Sequence, residues 1–293
     1  MVSQSGAGTL AGLAVWFCAL GCSGTPEDSG QPTGRCNGHE ALCDVTFDEL
    51  VVAMTHNAMS NAEEGWLAPN QNLGLERQLE DGIRGFMLDT HLGDGGEALL
   101  CHGLCDLGSE PLDEGLAKFT SFLEENPGEV VVFMIQNGIS AALTSDAFDA
   151  AGLTRYTYSH SPGEPWPTLA ALVDDNTRLV VFHEGGGTEF GWYMDGYGEH
   201  VWDTPYGQDS PEAMGCDRLR GDSEHPLFLM NHFLTSPIAL PELAEQVNYN
   251  PFLIDRARQC EAESGQRVNW IAVDFYDIGD VVAAVDELNG VER

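Results

Sequence analysis

Seven short, uninterrupted apolar runs recur along the chain: Leu50 to Thr55, Gly85 to Asp89, Ala98 to Cys101, Val130 to Gln136, Leu179 to His183, Leu227 to Asn231 and Trp270 to Phe275. Each is too short for a globular helix and none alternates with polar residues, so each reads as a strand covered on both faces. Between them the apolar spacing turns helical. In the segment from Leu112 to Glu125, Leu112, Leu116, Phe119 and Leu123 share a face, and Asn126-Pro127-Gly128 stops the run. Strands alternating with helices make a parallel sheet with crossovers. The expected fold is α/β, a single distorted or incomplete (β/α) barrel of the TIM type, which commonly fills about 250 residues as one domain. A doubly wound open sheet is the competing arrangement, but Gly185-Gly186-Gly187 has neither dinucleotide-binding nor P-loop spacing.

Ahead of these runs, Leu10 to Leu20 is an apolar stretch too short to span a bilayer and suited to the core of a secretory signal, although Met1 to Thr9 hold no Lys or Arg. Ala19-Leu20-Gly21-Cys22 resembles the bacterial lipoprotein cleavage box, in which the cysteine becomes the lipidated N-terminus. Ser23 to Gly34 contains only small, polar and Pro residues and reads as a flexible tether. The expected organisation is therefore a signal over 1–22, a linker over 23–35 and a barrel over 36–293, in a protein exported and lipid-anchored at Cys22 or secreted. Beyond Cys18 and Cys22, Cys36, Cys43, Cys101, Cys105, Cys216 and Cys260 remain. An even count in an exported chain suggests three disulfides; 15 pairings are possible, and the near-neighbour one closes the shortest loops. The alternative of a metal site at Cys101-His102-x-x-Cys105 lacks a second ligand pair.

Partners are bounded by charge. Forty-seven Asp and Glu against 12 Lys and Arg give a formal charge of −35, and Lys118 is the only lysine. Neutralising nucleic-acid phosphates needs clustered cations, so that class is excluded. No heptad suggests a protein partner, and a monomer is expected.

Active sites of such barrels form where strands end. The strand-end residues are His56 and Asn57, Asp89 and His91, His102, Gln136 and Asn137, His183 and Glu184, Asn231 and His232, and Asp274 with Asp277; they include five of the nine histidines. Histidine is a poor core filler, so this clustering points to chemistry.

Thr55-His56-Asn57, Gly82-Ile83-Arg84-Gly85-Phe86-Met87-Leu88-Asp89 and Leu100-Cys101-His102-Gly103 resemble the X-box of phosphatidylinositol-specific phospholipases C, most of all the extracellular PLC-like phosphodiesterases. Asn126-Pro127 with Glu129-Val130-Val131, Pro165-Trp166-Pro167-Thr168-Leu169 and Ile271-Ala272-Val273-Asp274-Phe275-Tyr276 extend the likeness from about Val45 to Asp277. The resemblance implies a distorted TIM barrel that cleaves a phosphodiester with two histidines. His56 matches the general base and His102 the general acid, Arg84 a cation beside the site, and Asp274 the carboxylate that orients His56. His91, His183, Asn231 and His232 are expected to contact substrate. Calcium-dependent members place Asn, Glu, Asp and Glu around the ion; here Asn57 and Asp89 match, whereas Met87 and Gln136 occupy the Glu positions, leaving Asn57, Asp89 and Gln136 as a lean set for Ca2+. Members without the metal put Arg where Asp89 stands.

The expected activity is phosphoric diester hydrolysis of the phospholipase C type on a phospholipid or related diester. The alternative is a surface-anchored lipid- or phosphodiester-binding protein with little or no turnover. The aromatic-rich segment from Gly185 to Pro226 is expected to overhang the pocket, and the acidic envelope disfavours anionic lipids unless cations screen or bridge it.

Overall fold

The computed structural model describes residues 34–186 and 190–292; the expected signal, the expected lipidation site Cys22 and nearly all of the expected linker lie outside them. The ten strands are β1 Val52–Thr55, β2 Gly85–Leu92, β3 Ala98–Leu100, β4 Glu110–Pro111, β5 Val131–Asn137, β6 Leu179–His183, β7 Tyr193–Asp195, β8 Val201–Asp203, β9 Leu227–Asn231 and β10 Trp270–Val273. Eight run parallel in the order β7-β6-β5-β2-β1-β10-β9-β8. With β3 and β4 set aside, that is chain order around a ring, the (β/α)8 arrangement with a seam between β7 and β8. No strand pairing bridges the seam among the described residues; a single turn, Gly196–His200, joins its two sides.

The core has two layers, and strand parity separates them. Met54, Met87, Val132, Met134, Val180, Phe182, Leu229, Trp270 and Ala272 pack together inside the ring. Their neighbours Ala53, Phe86, Leu88, Val131, Phe133, Ile135, Val181, Phe228, Met230, Ile271 and Val273 face the helices. Both faces are apolar, which is why the runs do not alternate. Gly85 is needed at the start of β2, where a Cβ would come within 2.7 Å of Met54 Cβ.

Two of the expected elements differ. Ala98–Leu100 is not a barrel strand; it pairs antiparallel with β2. Only five residues separate Leu92 from Ala98, too few for a parallel crossover of a dozen or more, so the chain makes a hairpin that lifts the next loop over the barrel mouth. Conversely, β7 and β8 arise within the segment read as an overhang. They are three residues each and give no apolar run long enough to register. Of that segment's aromatics, Tyr193 and Trp202 are buried in the barrel–helix layer and Trp192 packs on Phe148, leaving Tyr206 at the mouth. The disulfides are Cys36–Cys43, Cys101–Cys105 and Cys216–Cys260, the near-neighbour set.

Candidate active site

A cavity of about 220 Å3 opens at the C-terminal ends of the strands. Apart from Asn57, which a turn brings in, the residues reaching it from strand ends share the parity of the inner layer: His56 continues the row of Val52 and Met54, Asp89 that of Met87, Gln136 that of Met134, Glu184 that of Phe182, and Asn231 that of Leu229.

Two histidine–carboxylate pairs stand across it. The parallel register Thr55↔Val273 brings the residues that follow, His56 and Asp274, side by side. His56 Nδ1 lies 2.9 Å from Asp274 Oδ1, which also accepts from Asn70 Nδ2 at 3.0 Å. Gln71 Nε2 donates to the carbonyls of both His56 and Val273, tying the two strand ends together. Phe233 stacks on the His56 imidazole at 4.0 Å, 7° from parallel, and fixes its plane. With Nδ1–H donated to Asp274, Nε2 is left as the basic nitrogen.

The second pair is built by the hairpin. Cys101 N donates to the Asp89 carbonyl, the Cys101–Cys105 bridge closes the loop around His102, and His102 Nδ1 sits 3.0 Å from Asp89 Oδ2. That bond to Asp89 holds the His102 pKa above the ordinary value against the opposing effect of burial, with the charges of Asp89 and Asp274 adding to it. Asn57, with φ 46°, turns the chain after β1 so that its Nδ2 faces His102 Nε2 at 3.5 Å.

Four of the expected residues are elsewhere. Arg84 precedes β2 and so lies at the floor of the barrel, about 15 Å of strand away from Asp89. Its Nε donates to Glu129 at 2.7 Å, its Nη1 to the Leu79 and Ile83 carbonyls, and its guanidinium covers Phe122, beside a separate floor cavity of about 530 Å3. His183 and His232 have the opposite parity and point into the helix layer. His183 is buried against Tyr193, and burial lowers its pKa. His232 is fully buried; its Nε2 faces the Val247 carbonyl at 2.9 Å and its Nδ1 faces Arg256 Nη1 at 3.1 Å. Burial, with Arg256 beside it, pushes the His232 pKa down to about 3, so it stays neutral. His91 has the right parity but lies beyond the barrel in the hairpin, against the sulfurs of Cys101 and Cys105. Those sulfurs are bonded to each other, so that trio is no metal site.

Asn231 does line the cavity, its Nδ2 donating to Asp203 and to the Thr204 carbonyl while its buried Oδ1 has no partner among the described residues. Arg220, which sequence reasoning did not single out, enters from the β8–β9 connection with Tyr206, and Glu184 faces it. A further groove of about 510 Å3 adjoins the cavity, shares His56, His102, Tyr206 and Phe233 with it, and is lined by Trp66, Leu67, Leu104, Leu107 and Ile238.

The oxygens available to calcium are few. Asp89 gives one oxygen to His102, Glu184 is paired to Arg220, Gln136 and Asn57 are neutral, and Met87 contributes no oxygen. Calcium takes six to eight oxygens with several carboxylates, and these residues do not supply that set.

The fold and site thus define a parallel barrel that sets two histidine–carboxylate pairs across one polar cavity beside an apolar groove. The family model PI-PLC X 1 matches residues 42–289, and the chain belongs to that family. It is 29% identical over 303 residues to "PI-PLC X domain-containing protein 1" of Arthroderma benhamiae, covering 94% of this chain and 97% of that one. An "Uncharacterized secreted protein" of the same fungus is 28% identical over 284 residues, and a PI-PLC X domain-containing protein of Arabidopsis thaliana 29% over 291, covering 87% and 88% of this chain. The chain spans 63% and 65% of those two, less than two thirds of either. Among solved structures, a double mutant of the phosphatidylinositol-specific phospholipase C of Staphylococcus aureus aligns with a TM-score of 0.60 at 14% identity, covering 87% of this chain and 96% of that one. Another structure of that enzyme, from work on its membrane binding, gives 0.57 at 12%, covering 85% and 94%. At such identities the likeness is one of fold.

Proposed function

We propose that the protein is a phosphoric diester hydrolase of the phospholipase C type, with His56 as general base and His102 as general acid. The observation that carries this reading is the pair of imidazoles on one cavity, each backed through Nδ1 by its own carboxylate. His56, oriented through Nδ1 by Asp274, offers Nε2 to take the proton of an attacking hydroxyl as the new P–O bond forms. His102, whose pKa the bond to Asp89 raises, donates to the leaving oxygen as the old P–O bond breaks. One proton is taken and one given, so the step balances. If the attacking hydroxyl belongs to the substrate, a cyclic phosphate forms and water opens it with the two roles exchanged; if it is water, hydrolysis is direct.

The adjoining groove supports a lipid as the substrate. Five of the eight large apolar residues exposed on the described surface, Leu67, Leu104, Leu107, Tyr206 and Ile238, line it. Such clustering at the lip of a polar cavity suits acyl chains. The −35 charge favours a zwitterionic head group over an anionic one. The unpartnered Asn231 Oδ1 is an acceptor for a head-group hydroxyl. Export is in keeping with the name of the secreted fungal relative, and anchoring through Cys22 rests on the cleavage-box resemblance alone.

Incubation with vesicles of single phospholipids and with water-soluble diesters, with calcium or chelator, followed by phosphorus NMR of the products, tests this. His56→Ala and His102→Ala should each lower turnover roughly 100-fold or more with folding intact. Full activity in both variants would end the assignment, and tight binding with no product from any diester would leave a binding protein.

A further inference from the structure

The transition state of a phosphodiester reaction carries negative charge that needs a fixed cation, and neither a carboxylate-rich calcium site nor an arginine at the position of Asp89 is present here. Among the residues lining the cavity, Arg220 is the only lysine or arginine. It is held more firmly than a surface arginine. Nε and Nη2 donate to Asp203 Oδ2 at 2.9 and 2.6 Å, Arg220 N donates to Asp203 Oδ1 at 2.9 Å, and Asp203 is fully buried. The guanidinium lies against the rings of Tyr197 and Tyr206, 4.2 and 4.9 Å from their centroids. Nη1 donates to Glu184 Oε1 at 2.8 Å. A guanidinium has five N–H groups and these bonds use three, so one on each terminal nitrogen remains for a ligand, and release of Glu184 frees the end-on fork that matches two phosphate oxygens.

We propose that Arg220 is the phosphate-binding cation of this cavity, preorganised by Asp203, Tyr197 and Tyr206, with Glu184 as a partner that phosphate displaces. The proposal rests on the phosphodiesterase reading for its catalytic meaning, but its binding claim stands apart from turnover. Placement from the β8–β9 connection lets the chain keep Asp89 for His102 while supplying the cation from the opposite wall.

The test is calorimetric titration of the full chain with inorganic phosphate in chelator, which needs no turnover. Arg220→Gln should weaken phosphate binding tenfold or more, and Arg220→Lys should restore it only in part, because the fork is lost. Glu184→Gln should tighten binding, since it removes a competing anion. If Arg220→Gln unfolds for want of a partner to buried Asp203, the double variant Asp203→Asn with Arg220→Gln removes both charges and answers the same question. Unchanged affinity in the Arg220→Gln variant or the double variant, or wild-type binding that appears only when calcium is added, overturns the proposal. Diester turnover run in parallel separates the two readings. Arg220-dependent phosphate binding without turnover upholds the binding claim and removes the enzyme, whereas turnover with Arg220-independent binding does the reverse.

Discussion

His232 offers a quantitative check on the placement of the strand-end histidines. It was expected to touch substrate, yet both ring nitrogens are committed in opposite senses, Nε2–H toward the Val247 carbonyl and Nδ1 as acceptor from Arg256. Only the neutral ring satisfies both, and its pKa lies near 3. In the unfolded chain the same group titrates near 6.5. Below that pH the unfolded state takes up a proton that the native state refuses, so native stability falls as the pH drops, by about 1.36 kcal/mol per unit. Between pH 7.5 and 4.5 the loss from this one residue is roughly 2 to 3 kcal/mol. The perturbation is His232→Gln, which keeps one donor and one acceptor but cannot titrate. Urea unfolding at pH 7.5 and at 4.5, with equal m-values, should give a variant that is less stable at the higher pH but loses roughly 2 to 3 kcal/mol less on acidification than the wild type. If the two pH-dependent losses agree within about 0.5 kcal/mol, His232 is not a neutral buried group and the parity assignment fails with it.

Other outcomes follow from the site. Asp89→Asn removes the main cause of the raised His102 pKa, so the alkaline limb of the pH–rate profile, where the acid loses its proton, should move to lower pH; an unmoved limb would detach His102 from the acid role. Leu104→Ser with Ile238→Ser should lower activity on long-chain vesicles roughly tenfold while leaving a short, water-soluble diester untouched, because both residues line the groove alone. Equal losses on both substrates would mean that the groove holds no acyl chain. Cys101→Ser with Cys105→Ser opens the short loop carrying His102 and should cost about 2 kcal/mol of stability by the chain-entropy relation, together with a larger loss of kcat than the pocket's other walls explain. Measured melting and turnover would separate the two.

The barrel was legible because its strands are buried on both faces and therefore leave uninterrupted runs. The same property concealed the direction of each side chain. In an alternating strand the polar residues mark the outer face; here Phe182 and His183, or Asn231 and His232, look equivalent until the sheet curls and sends one of each pair inward. His56 and Asp274 were readable as partners because each directly follows a strand, and adjacent parallel strands bring their ends together. Arg84 illustrates a different error. Its motif was recognisable, but its place at the start of β2 puts it at the end of the barrel where no chemistry occurs. Arg220 left no local signal at all. Its position depends on a connection that returns to Asp203 after 17 residues and pairs with it backbone to backbone.

The joint between the first and last barrel strands also governs when the site can assemble. Val52 pairs with Trp270, and the imidazole of His56 meets its carboxylate across 218 positions of sequence. A chain still emerging from a ribosome has His56 but not Asp274, and the sheet cannot curl around a missing strand. Synthesis from the N-terminus therefore leaves His56 without its carboxylate until the segment around Asp274 arrives. Long-range pairing of this kind is slow to form, so nascent or clipped chains lacking that segment cannot build the His56–Asp274 pair.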